Sequence, residues 1–265
     1  MSTVNLLITG SCGFIGLNFL LEIEGDATFR SKYDKIFLID AMLLGDHNRD
    51  EYDDFLGRNP DIRDYVYHLS YDHPEMLHET GDWGKVTKLG SLGKFDILNF
   101  ASQSHVDDSI NEPCNVFGAN SSLVTGLVEV VGGVDNIHTF YHIRTDEEFG
   151  HLEDVSDVFD VNSPINPRNP YSASKAAQYL FLKSLETTFG LDLVCFTLAN
   201  QFGPYQHESK MIPATIKRIN SGESAKIYGE GKEMREWTYV TDTVRSIIDR
   251  MMVHGDANCG PSDVF

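Results

Sequence analysis

Short runs that are apolar on both alternating faces, each followed by a longer stretch of helical periodicity, constrain this chain more than any other feature. A strand with one wet face alternates apolar and polar residues, and Leu6-Leu7-Ile8 and Ile36-Phe37-Leu38-Ile39 do not. Such strands need cover on both sides, and the cover available here is helix. Val4 to Thr9, Ile36 to Asp40, Tyr65 to Leu69, Asp96 to Ala101, His138 to Ile143 and Leu193 to Leu198 read as strands. Val116 to Val131 and Tyr171 to Phe189 are the clearest helices between them. The alternation predicts an α/β fold with a doubly wound parallel sheet and right-handed crossovers. Regularity fades after Gly203-Pro204, where a smaller C-terminal lobe is expected. The division is then 1–199 for the sheet domain, with a contribution from 226–250, and 200–225 with 251–265 for a partial, shortened lobe. The acidic stretch Asp46 to Asp54 reads as a solvated loop, since like charges repel and stay wet.

Charge narrows the function. The 265 residues carry 40 acidic against 21 basic side chains, a net charge of −19. Nucleic-acid binders neutralise phosphates with basic groups, so DNA and RNA are excluded as general partners. An anionic membrane surface is disfavoured on the same ground. The longest apolar runs fall far short of the ~20 residues that span a bilayer. Met1 to Asn5 has no basic residue and does not read as a signal peptide. Cys12, Cys114, Cys195 and Cys259 lie far apart, as reduced thiols of a cytoplasmic protein do. No His/Cys/carboxylate set has zinc-site spacing, so no metal is expected.

The first strand runs into Gly10-x-x-Gly13-x-x-Gly16, a variant of the dinucleotide fingerprint set between a strand and a helix. Its glycines permit a tight turn and close approach to a pyrophosphate, and the helix start adds N–H donors and a positive dipole end. Asp40 closes the second strand, 24 residues past Gly16, near the ~20 expected for a ribose-binding acid. An aspartate there repels a 2′-phosphate, which favours NAD over NADP.

At the other end, Tyr171-Ser172-Ala173-Ser174-Lys175 puts a phenol and an ammonium at i and i+4 on one helix face, with Pro170 at the helix start. A free phenol with pKa near ~10 is a poor base at neutral pH, and a nearby ammonium is expected to lower it. Thr145-Asp146-Glu147 places a hydroxyl and two carboxylates at the end of the fifth strand, the edge where doubly wound sheets bind ligands.

With these residues in view, the chain resembles the extended short-chain dehydrogenase/reductase family, and within it the nucleoside-diphosphate-glucose 4,6-dehydratases. The resemblance covers nearly all of the chain. It rests on the glycine turn, Ala101-x-x-Ser104-His105-Val106-Asp107, Thr145-Asp146-Glu147, Pro170 to Lys175, Asn200-x-x-Gly203-Pro204, Lys210-Met211-Ile212-Pro213 and Arg235-Glu236-Trp237-x-Tyr239-Val240-x-Asp242. It implies an NAD-binding Rossmann fold in which Gly10, Gly13, Phe14, Ile15, Gly16, Asp40, Ala101, Ser104, Tyr171 and Lys175 contact the cofactor. Tyr171 would take the O4 proton, with Thr145 bonded to O4 and Lys175 holding the nicotinamide ribose. Glu147 would remove the C5 proton and Asp146 protonate the departing C6 hydroxyl. His105, Thr145, Asn200, Lys210, Met211 and Arg235 would hold the nucleotide sugar, dTDP- or UDP-glucose. The two long helices would pair with those of a second copy to form a homodimer.

Two departures stand out: Arg144 sits where a serine usually precedes the Thr-Asp-Glu triplet, and Ala41 to His47 replaces the usual adenosine-ribose loop. A 4-epimerase or UDP-glucuronate decarboxylase is the rival enzyme, against which Asp146 argues. An inactive relative serving as a binding or scaffold subunit is the rival of another class.

Overall fold

The computed structural model describes residues 4–40, 48–63, 66–68, 89–152, 157–226, 231, 234–254 and 263–264. The Ala41 to His47 loop, Leu69, His73, His78 and Cys259 lie outside them. The first half of the chain gives β1 (Val4–Thr9), α1 (Phe14–Glu24), α2 (Ala27–Arg30), β2 (Ile36–Asp40), α3 (Arg49–Arg58), α4 (Pro60–Arg63) and β3 (Val66–His68). Then follow β4 (Lys94–Asn99), α5 (Val106–Asn111), α6 (Pro113–Val130), β5 (Ile137–Thr145), α7 (Pro170–Phe189) and β6 (Leu193–Leu198). The remainder is β7 (Asn200–Phe202), α8 (Met211–Asn220), β8 (Trp237–Tyr239), α9 (Val240–Val253) and β9 (Asp263–Val264).

Seven strands form one parallel sheet in the order β3-β2-β1-β4-β5-β6-β9. The doubly apolar strands are explained by what covers them. Leu6 and Ile8 face α1 and α9, packing with Leu17, Leu20, Val244 and Ile247. Leu7 between them faces the other way, toward Leu123, Leu127 and Leu182 of α6 and α7. Each such fully buried side chain stabilises the fold by about 1.5–3 kcal/mol relative to exposure.

Strand order reverses between β1 and β4, so their C-terminal ends diverge and open a crevice. Gly10 lines it in a left-handed conformation, φ +67°, and a Cβ there would stand 2.6 Å from the Ala101 backbone nitrogen. Only glycine fits.

Two expectations are corrected. The acidic stretch is not a loop: α3 starts at Arg49 and buries Tyr52, Phe55 and Leu56 while its charges face outward. The final segment, assigned to the smaller lobe by sequence, instead adds to the main structure. Met251 is fully buried, and β9 pairs in parallel with β6 as the sheet's last strand. Between these, β7 and β8 form a separate two-stranded sheet, with α8 between them along the chain.

Candidate active site

A cleft of about 670 Å³ lies along the crevice, walled by the glycine turn, Asp40, residues 100–105, Tyr171, Lys175 and Lys210. At its cofactor end, α1 begins at Gly13 with no side-chain cap and no acidic residue in its first turn. Its N–H groups and positive dipole end therefore point at whatever fills the cleft. A Cβ on Gly16 would sit 2.1 Å from the Gly10 carbonyl oxygen, so glycine there is what lets the helix close on the turn. Asp40 Oδ2 accepts from the Cys12 backbone N–H at 2.8 Å, which fixes the carboxylate at the crevice edge. From α3, Tyr52 exchanges a hydrogen bond with Ser11 at 3.0 Å and Asn48 donates to the Cys12 carbonyl at 3.2 Å. A dinucleotide pyrophosphate fits this donor set, and the residues that build it are Gly10, Gly13, Phe14, Ile15 and Gly16.

The wall opposite is stitched by Asn120 of α6, a buried residue the sequence reading missed. Its Oδ1 accepts from Gln103 N at 2.8 Å, and its Nδ2 donates to Ser174 Oγ at 2.8 Å. Ala101, Ser104 and His105 thereby hang on a loop tied to both α6 and α7, and all three line the cleft. Burial and the neighbouring Lys210 ammonium depress the His105 imidazole, which favours its neutral form. Lys210 Nζ donates to the Ser104 carbonyl at 3.2 Å and lies in the field of Glu147, Asp107 and Asp108.

The chemical end is built where β5 stops. Thr145 caps the following 3-10 turn: its Oγ1 accepts from Glu147 N at 3.3 Å and its hydroxyl donates to Asp146 Oδ1 at 3.3 Å. Glu148 closes the turn, its Oε1 accepting from Thr145 N at 3.3 Å. Beneath lies an ion pair: Arg144 Nε and Nη2 reach Glu148 Oε2 at 3.0 and 2.9 Å, both side chains nearly devoid of solvent contact. The Arg144 guanidinium stacks 3.5 Å above the Tyr179 ring. Tyr171, Lys175 and Tyr179 follow one another at i, i+4 and i+8, so α7 sets phenol, ammonium and stacking ring on the single face that meets β5.

The phenol and the twin carboxylates converge. Burial raises the Tyr171 phenol above its ordinary range, and Glu147, Glu148 and Asp146 raise it further. Lys175, expected to lower that phenol, is itself brought down by burial to about 8, against the opposing pull of Glu148. Asp146 is raised by burial first and by Glu147 second, so it holds a proton more readily than a free aspartate.

Four residues assigned to the nucleotide sugar, Thr145, Asn200, Met211 and Arg235, are not among those that line this cleft, and neither are Asp146 and Glu147, which stand on the turn just past its Arg144 wall. Asn200 Nδ2 donates to the Glu236 carbonyl at 3.3 Å, Arg235 Nη1 donates to the Met234 carbonyl at 2.7 Å, and Met211 is exposed. The physical reason is local: Asn200 and Arg235 are each taken up by a nearby backbone carbonyl, of Glu236 and Met234.

Residues 73–259 match the family model described as GDP-mannose 4,6 dehydratase. The chain belongs to this family. Low-salt glycan biosynthesis protein Agl12 of Haloferax volcanii is 32% identical over 96% of this chain and 74% of that protein. The dTDP-glucose 4,6-dehydratase of Xanthomonas campestris is 31% identical over 96% of this chain and 70% of its own length. Among solved structures, DesIV of Streptomyces venezuelae, a dTDP-glucose 4,6-dehydratase with NAD bound, superposes with a TM-score of 0.80. It is 27% identical, and the match covers 99% of this chain and 74% of that one. The α/β Rossmann-type fold is therefore that of this dehydratase family, and the chain spans about three quarters or less of the length of these relatives. Among the described residues, no helix is long and apolar enough to cross a membrane.

Proposed function

We propose that this chain is an NAD-dependent nucleotide-sugar 4,6-dehydratase acting on dTDP-glucose, and that it forms the 4-keto-6-deoxy sugar with loss of water. The observation that carries the reading is the presence of two carboxylates, Asp146 and Glu147, beside the phenol of Tyr171. Epimerisation at C4 needs only the phenol; eliminating water across C5 and C6 needs an acid and a base as well.

Gly10, Gly13, Phe14, Ile15 and Gly16 would hold the NAD pyrophosphate, Asp40 a ribose, and Ala101, Ser104, Tyr171 and Lys175 the nicotinamide end. Bound NAD would supply a hydride acceptor for C4 and a hydride donor for C6, with Glu147 giving its proton back to C5 in that last step. Tyr171 receives the O4 proton while Thr145 orients that oxygen. With C4 a ketone, the C5 proton is acidic, and Glu147 removes it. The C5–H electron pair passes into the C5–C6 bond as the C6–O bond breaks, and Asp146 gives its proton to the departing oxygen. Its raised pKa suits that donation. Lys210 and His105 would meet the diphosphate and the sugar, with Asn200, Met211 and Arg235 reaching the nucleotide from the lobe once substrate closes it. The global charge of −19 opposes this binding, so short-range donors have to carry it.

Phe117 on α6 and Leu180 on α7 stand exposed on helices packed side by side, which supports a homodimer through that face. Among the described residues, Cys12 and Cys195 are buried and Cys114 is exposed, all three outside any disulfide, in keeping with a cytoplasmic location.

The test is incubation of the protein with NAD and either dTDP-glucose or UDP-glucose, followed by the alkaline absorbance of a 4-keto sugar. Product from dTDP-glucose supports the reading. Conversion to the C4 epimer alone would establish the epimerase, and no turnover of either sugar would favour a scaffold. Glu147→Gln should oxidise C4 but stop before dehydration; unimpaired product formation removes Glu147 from its role.

A further inference from the structure

Glu147 has a partner beyond its own turn. Asn169 Nδ2 donates to Glu147 Oε2 at 2.9 Å. That amide cannot be inverted, because its Oδ1 already accepts from the Ser172 backbone N–H at 2.7 Å. A backbone N–H needs an acceptor, so the end facing the carboxylate is the amino group. Asn169 is the N-cap of α7, directly before Pro170 and two residues before Tyr171. One short side chain thus starts the helix that carries the phenol and grips one oxygen of a carboxylate on the β5 turn.

Capping alone does not require asparagine. Serine and aspartate start helices about equally well. What asparagine adds is a donor on the far side of the cap, aimed at Glu147. We propose that Asn169 is a positioning residue for the elimination step: it holds Glu147 through Oε2, leaves Oε1 to take the C5 proton, and locks the base in register with Tyr171. The proposal rests on the dehydratase reading above. The charged neighbours of Glu147 are Asp146 on its own turn, Tyr171 on α7 and Lys210 at the start of α8. Asp146 Oδ1 accepts from the Thr145 hydroxyl within its own turn, whereas Glu147 is fixed both within the turn, through its backbone to Thr145, and across to α7, through its side chain to Asn169.

Two variants separate the donor from the cap. Asn169→Ser keeps the cap and loses the donor; Asn169→Asp keeps the cap and sets a second carboxylate against Glu147. In the full chain with NAD and dTDP-glucose, both should slow dehydration about ten- to hundred-fold, the range for a hydrogen bond to a charged group. Single-turnover C4 oxidation, read from nicotinamide absorbance, should change less than about two-fold, because it does not use Glu147. The acid limb of kcat/KM should move up by about one pH unit in Asn169→Asp, where ionising one carboxylate opposes the other. A readout free of activity is the melting temperature. Asn169→Asp should lose more stability than Asn169→Ser between pH 5 and pH 8, and adding Glu147→Gln should erase the excess.

Equal slowing of oxidation and dehydration in both variants would overturn the proposal, since a misformed helix start harms Tyr171 and Glu147 alike. Dehydration and melting curves unchanged in both, with Glu147→Gln inactive in dehydration, would overturn it while leaving the dehydratase reading intact. A fully active Glu147→Gln would also overturn the proposal, because Glu147 would then not be the base, whereas a parent chain that never dehydrates the sugar would sink the dehydratase reading.

Discussion

The junction of β5 with α7 and the lobe around α8 sit on the same cleft and are built on opposite principles. At the junction, Arg144, Thr145, Glu147, Glu148 and Asn169 are joined by hydrogen bonds and an ion pair, largely out of solvent. In the lobe, α8 buries none of its residues, and Met211, Ile216 and Ile219 are all exposed. Proton transfer requires groups held near their final geometry before substrate arrives, and packing supplies that. Substrate capture requires a surface that can still move, and surfaces of this kind come from the weakly packed end of a fold. The difference teaches where to look for each kind of residue: the proposed acid–base groups lie on the tied turn after β5 and at the start of α7, and the groups proposed to admit the sugar lie where packing is thin.

The comparison can be broken most directly at Tyr171. Tyr171→Phe is expected to lower turnover by about 10²–10⁴-fold with little change in melting temperature, a loss typical of one acid–base group. A similar loss of stability would mean that the phenol belongs to the scaffold. Next in size is the ion pair. Arg144→Met leaves Glu148 buried and unpaired and should cost about 3–5 kcal/mol in urea unfolding, whereas Arg144→Met with Glu148→Leu should recover most of it. If the single variant is as stable as the parent, the junction is not held as described.

A smaller effect comes from His142, fully buried on β5 and held well below its ordinary pKa, first by burial and then by Lys175 and Arg144. A depressed imidazole pKa means that the unfolded chain binds the proton more readily. Stability is then present above the unfolded value of about 6.5 and lost as pH falls below it. Melting temperatures followed from pH 7.5 to 5 should fall less steeply in His142→Gln than in the parent. The smallest effect belongs to the lobe: Ile216→Ser on α8 should shift unfolding by no more than about 0.5 kcal/mol. A large destabilisation there would erase the contrast between the two regions.

Much of this was legible in the chain. The doubly apolar runs gave six of the parallel strands, because a strand covered on both faces has to be apolar on both. The glycine spacing located the crevice, since close backbone approach leaves no room for a Cβ. The α3 helix was hidden by its charges, although Tyr52, Phe55 and Leu56 form an i, i+3, i+4 stripe that betrays a buried face. Asn169 could have been suspected as a cap from the Asn-Pro pair at a helix start, but nothing in its spacing from Glu147 announced the contact across 22 positions.

What the sequence determined by itself is therefore whatever depends on local conformation and on the sidedness of apolar residues: the strands, the long helices, the glycine turn and the Tyr-Lys helix face. Tertiary structure alone decided which polar groups meet. It placed Arg144 against Glu148 beneath the turn, tied Asn169 to Glu147, and left Asn200 and Arg235 on backbone carbonyls in the lobe. Hydrophobic burial follows area and so leaves a periodic trace along the chain, whereas a hydrogen bond depends on direction and on distances within about 3.5 Å, which are fixed only once distant segments are packed together.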